Sequence, residues 1–165
     1  MLGLLCSCTS SKTSLIIGDH YDEETDITTL IIMPYGNILI PGKWTKTSYY
    51  EDSRQHIFKN ADSVHIAVTK APQEKYSFYE EGISDGQFAE KFYEWEKEYF
   101  EEQGYTVELL QNDAGFIVWR AVIGDENTIL LFGAKNPYAF NLAVFSDIWP
   151  DEKRIEFLEN IFKNN

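Results

Sequence analysis

From Ile83 to Gly104 the chain reads ISDGQFAEKFYEWEKEYFEEQG. Phe88, Phe92, Trp95 and Tyr99 recur at intervals of four, three and four, so a 3.6-residue helix gathers them on one stripe, which Ala89 and Phe100 widen. Glu90, Lys91, Glu94, Lys97, Glu98, Glu101 and Glu102 fall on the opposite face, where charge meets water. Ser84 followed three residues later by Gln87 fits a capping box, in which each side chain occupies a backbone N–H that the first turn leaves unpaired. Gly104 stands where a helix end favours a left-handed residue. The spacing predicts one long amphipathic helix with Trp95 central in its core-facing stripe.

Short strand-like runs lie on both sides of this helix. Before it, Ile27–Met33, Ile38–Ile40, Lys46–Tyr50, Arg54–Lys59 and Val64–Lys70 are separated by turn residues such as Pro34-Tyr35-Gly36-Asn37 and Asn60-Ala61-Asp62-Ser63. Leu15-Ile16-Ile17 is a brief apolar run, and Gly18 to Asp26 reads as an acidic turn or linker. After the helix, Tyr105–Leu109, Phe116–Ile123, Thr128–Ala134 and Tyr138–Phe145 have the spacing of a four-stranded antiparallel meander. Both alternate sets of Phe116–Ile123 are apolar, which predicts a central strand covered on both faces, with Arg120 reaching a carboxylate or the sheet edge. Pro150 to Lys163 reads as a second helix with Ile155, Leu158, Ile161 and Phe162 inward and Pro150 in its first turn. The class is α+β: an antiparallel sheet of two meanders, with the long helix and the C-terminal helix packed on it.

A chain of 165 residues buries roughly 70% of its unfolded surface, enough for a core without disulfides or metal. Aromatic residues make up 15% of it, so large flat side chains carry much of the packing. The formal net charge of −13 repels phosphate backbones and anionic head groups, which argues against nucleic-acid binding and direct membrane docking.

Cys6 and Cys8 are the only cysteines. They sit in MLGLLCSCTSSK, residues 1–12, where an apolar run ends in a small residue and a cysteine before a polar stretch. This resembles the end of a bacterial lipoprotein signal peptide, with Leu5 three before and Ser7 one before Cys8. The resemblance implies lipidation at Cys8. Residues 1–14 are then a truncated signal and flexible tether, and 15–165 one domain. The basic start and full apolar segment of such signals are missing, which fits a true start upstream of Met1.

Ile38-Leu39-Ile40-Pro41-Gly42-Lys43-Trp44 carries a second resemblance. A strand ending in an Ile-Pro-x-x-Trp-like phrase, then a meander, a long helix, a second meander and a final helix, is similar to the fold shared by PsbP photosystem extrinsic proteins, Mog-type Ran-binding factors and bacterial DcrB-like lipoproteins. It spans Gly36 to Phe162. It implies a binding or accessory role rather than an enzyme, and it transfers no site residue.

No catalytic or metal-binding signature accompanies these patterns. His20, His56 and His65 lack metal spacing, although His56 and His65 fall on adjacent strands and could face each other. No Gly-x-Ser-x-Gly elbow or phosphate-binding Gly-x-x-x-x-Gly-Lys occurs. No cofactor is implied. The better lead is aromatic: Tyr76, Phe78 and Tyr79 before the helix, and Tyr49 and Tyr50 beside a hairpin turn, form a candidate partner surface. The expected function is a small non-enzymatic binding or accessory lipoprotein of the bacterial envelope, periplasm-facing, holding a protein or small ligand. The alternative is a soluble cytosolic chaperone or adaptor of the same fold.

Overall fold

The computed structural model describes residues 15–165. Strands β1 (Ile16–Asp22), β2 (Ile27–Met33) and β3 (Gly36–Pro41) form a small antiparallel sheet. Strands β4 (Thr45–Tyr50), β5 (Gln55–Lys59) and β6 (His65–Pro72) lead through a short 3-10 turn to helix α1 (Asp85–Glu102). Strands β7 (Thr106–Asp113), β8 (Phe116–Ile123), β9 (Glu126–Lys135) and β10 (Tyr138–Phe145) precede helix α2 (Asp151–Lys163).

The two meanders join into one seven-stranded sheet, in the order β4-β5-β6-β10-β9-β8-β7. The seam is the antiparallel pairing of β10 with β6, from Tyr138 opposite Pro72 to Phe145 opposite His65. The α+β class read from the sequence is therefore the class of the structure. Three expectations change. The acidic segment 18–26 is not a linker: its first half is β1, and only the turn beyond Asp22 is free of strand pairing. Strand β8 is covered on both faces, as its apolar run requires, yet it lies next to the edge strand, and β10 is central. Pro150 is the N-cap of α2 rather than a residue of its first turn.

The large sheet carries a different layer on each face. On one face Phe58, Ile66, Val118, Leu131 and Leu142 meet the small sheet (Leu30, Ile38, Ile40) and α2 (Leu158, Ile161, Phe162). On the other, Trp119, Phe132 and Leu130, among the small residues Ala67, Ala121, Ala134, Ala139 and Ala143, receive Phe88, Ala89, Phe92 and Tyr93 of α1. The Pro41-Gly42-Lys43-Trp44 phrase makes the joint between the sheets. Trp44 donates its backbone N–H to Thr28 Oγ1 at 3.0 Å and its indole N–H to the Pro41 carbonyl at 2.7 Å, while its ring packs against Trp149 and Phe157.

Helix α1 forms as the sequence predicts at both ends. The Ser84–Gln87 capping box is complete, and Gly104 takes φ +89° just beyond the helix. Helix α2 is fixed by charge. Asp151 in its first turn accepts from both Arg120 of β8 and Arg154, and Arg154, which is buried, donates to the Asn127 carbonyl at 2.7 Å. Arg120 thus reaches carboxylates, Asp151 and Glu108. At the other end Lys135 Nζ donates to the carbonyls of Phe162 and Lys163, at 2.7 and 3.2 Å, where the helix leaves acceptors unpaired.

Candidate functional site

Helix α1 lies over β8, β9 and β7 and leaves the β4–β6 side of the same sheet face uncovered. That offset produces a groove of about 950 Å³ between the helix and the β4–β5 hairpin. Its helical wall is Phe92, Trp95, Glu96, Tyr99 and Phe100, its far wall Asp52 to Gln55, and Tyr76 and Asn141 also line it.

The rotation of α1 about its axis decides what the groove contains. Its buried residues are Phe88, Ala89, Phe92 and Tyr93. Trp95 and Tyr99, expected in the middle of the core stripe, are 50% and 58% exposed. The helix turns its Ala89–Tyr93 side down because the alanine-lined surface of the sheet admits Phe92 flat against Phe132, with ring centroids 4.2 Å apart. Trp95 is thereby carried to the rim, where it leans on Phe78 and Phe92.

The same rotation brings a carboxylate inward. Glu96 lies three residues from Tyr93 and four from both Phe92 and Phe100, so its neighbours on the helix surface are inward-facing aromatics. Burial raises its pKa from 4.5 to about 7. The Tyr76 hydroxyl is also raised, first by burial, with the Arg54 charge opposing and the Glu96 charge adding. Among the described residues neither Glu96 nor Arg54 has an oppositely charged partner within 4.0 Å, whereas Arg120 and Arg154 both do. Asn141, 9% exposed, has a buried Oδ1 with no hydrogen-bond donor.

The aromatic residues singled out from the sequence divide among separate places. Tyr76 and Phe78 stand together, 5.6 Å apart, and both pack on Phe88 and Phe92 of α1. Tyr79 lies beside a smaller hollow of about 330 Å³ with Tyr35, Pro137 and Tyr138. Tyr50 pairs with Gln55 and is exposed, while Tyr49 points to the opposite face of the sheet and stacks on His56 at 4.6 Å. His56 and His65 do not face each other: His56 is opposite Val68, and His65 opposite Lys59. Among the described residues no three His, Cys, Asp or Glu side chains are grouped to hold a metal. Cys8 lies outside the described residues. Among those described, no helix is long and apolar enough to cross a membrane.

Glu96, Arg54 and Asn141 are three polar residues of the groove lining, and none has a motif around it. The one signal in the sequence is Glu96 itself, a carboxylate spaced between Phe92 and Phe100 where a core-facing helix calls for an apolar residue.

Fold and site together define an α+β sheet protein with one sheet face half covered and an aromatic, acidic groove beside its long helix. No protein-family model matches the chain. A search of curated proteins finds no match either. Among solved structures, the chain is similar to the solution structure of cyanobacterial PsbP (CyanoP) from Synechocystis sp. PCC 6803. The likeness covers 98% of this chain and 97% of that one, at 10% identity and a TM-score of 0.47, and it concerns layout alone.

Proposed function

We propose that the chain is a non-enzymatic binding protein of the bacterial envelope, held to the membrane by a lipid on Cys8, that takes a small ligand in the groove beside α1. The observation that carries the binding role is the pair Trp95 and Tyr99, two large aromatic side chains left half in water on the edge of a groove of about 950 Å³. Aromatic groups in that setting offer large contact area with few rotors to freeze. The volume falls in the range of small-molecule sites. The envelope address is supported by Leu5, Ser7 and Cys8 in the lipoprotein-like pattern.

Two measurements test the two halves. Expressed in a bacterium from its native gene, the protein is expected in the detergent phase, the Cys8→Ala variant in the aqueous phase, and Cys6→Ala unchanged. An aqueous wild type removes the anchor and favours the cytosolic adaptor. For the groove, thermal unfolding is followed against small aromatic and aliphatic amines, acids and alcohols. At least one class should raise the transition of wild type and leave Trp95→Ala unmoved. A flat response to all three classes removes the binding role.

A further inference from the structure

Resting on that reading, we infer that the groove ligand is an organic cation, an ammonium group seated at Glu96 with its apolar body against Trp95 and Tyr99. A carboxylate on the inward arc of a helix, among Phe92, Tyr93 and Phe100, loses hydration and here gains no counter-charge from the protein. Two unmet groups of the groove are acceptors, the Glu96 carboxylate and the buried Oδ1 of Asn141. Among the described residues, the Arg54 guanidinium on the far wall is the one charged donor of the groove without a carboxylate. An ammonium group brings up to three N–H donors and the missing positive charge. The exposed indole of Trp95 and phenol of Tyr99 add faces that attract cations.

Charge around the groove points the same way. Its acidic lining residues are Asp52, Glu96, Glu98 and Glu102, against the basic Arg54 and Lys75. The whole chain at net charge −13 raises the local concentration of cations and lowers that of anions. Burial places Glu96 close to neutrality, so an arriving cation shifts it fully to the charged form.

The test is calorimetric titration of the intact protein with phenethylamine, phenethyl alcohol, phenylpropionate and phenylalanine at pH 8. Phenethylamine should bind, and the alcohol and the acid should bind at least tenfold more weakly, about the loss of one ionic contact. Glu96→Gln should weaken phenethylamine by roughly tenfold, and so should lowering the pH of wild type from 8 to 5.5, where Glu96 holds a proton. Arg54→Gln should tighten it by removing a like charge. Preferred binding of the alcohol or the acid, or an unaltered affinity in Glu96→Gln, overturns the cation while leaving a ligand groove in place. Phenylalanine binding best and losing affinity in Arg54→Gln overturns it too, since a carboxylate would then be recognised. If none of the four binds and thermal unfolding responds to no class, the binding role itself fails.

Discussion

Gly133 shows how much one missing carbon sets at the residue scale. It lies on β9 beneath α2, and a Cβ there would run into the Phe162 ring, 2.8 Å from Cζ. The ring is hemmed in by Phe116 and Phe140, which flank it with centroids 5.2 and 5.5 Å away. Gly133→Ala is therefore expected to destabilise by about 1–3 kcal/mol, the usual cost of overpacking a dense core. The urea midpoint reads it, and an unchanged midpoint would mean that α2 moves off the sheet at no cost. Glu96 is the opposite case, a residue whose charge is out of keeping with its position. Such a departure from local pattern is expected at functional or strained positions.

Among the elements, α2 is the one held most by charge. Its first turn meets β8 through the Asp151–Arg120 ion pair and β9 through the hydrogen bond from Arg154 to the Asn127 carbonyl, and Asp151 pairs with both the buried Arg154 and the half-buried Arg120. Asp151→Ala leaves two guanidinium groups without their shared partner, one of them wholly buried, and should cost about 3–5 kcal/mol. A Glu108→Ala control, which removes only the exposed partner of Arg120, should cost less than about 1 kcal/mol. Equal midpoints for the two variants would show that Asp151 is solvated in solution. Elements were also what the sequence displayed best. The capping box, Gly104 and the period-two runs are local signals, and they placed α1 and nearly every strand. The rotation of α1 was not readable from those signals. Trp95 and Tyr99 share a stripe with Phe88 and Phe92, and nothing local reveals that alanines on four strands let the helix roll toward Tyr93. Strand β1 was missed because its alternation, in GDHYD, is of acidic and polar residues on an edge.

Across the whole molecule, the pairing of β10 with β6 turns two meanders into one sheet with two unlike faces, and each face holds a group whose pKa burial moves within the range between 4 and 7. No run of sequence encodes that seam, because it joins residues such as Ala67 and Ala143 that are far apart in the chain. On the face under the small sheet, burial lowers the His56 pKa from 6.5 to about 4, with the Lys46 charge assisting. The unfolded chain binds that proton more readily, so His56 takes stability away as pH falls from 6.5 toward 4, by about 3 kcal/mol in all. On the α1 face, Glu96 binds a proton more readily folded than unfolded, so it takes stability away as pH rises from 4.5 toward 7. Between pH 4.5 and 6.5 the two contributions oppose each other. Urea midpoints measured across this range should fall more steeply toward acid in Glu96→Gln than in wild type, because the His56 slope is then unopposed. In His56→Phe they should instead fall more steeply toward neutral pH, because only the Glu96 slope remains. Taking each variant against wild type removes the general repulsion of a chain at net charge −13. Profiles that run parallel in all three proteins would place both groups in water rather than on the two faces of the sheet.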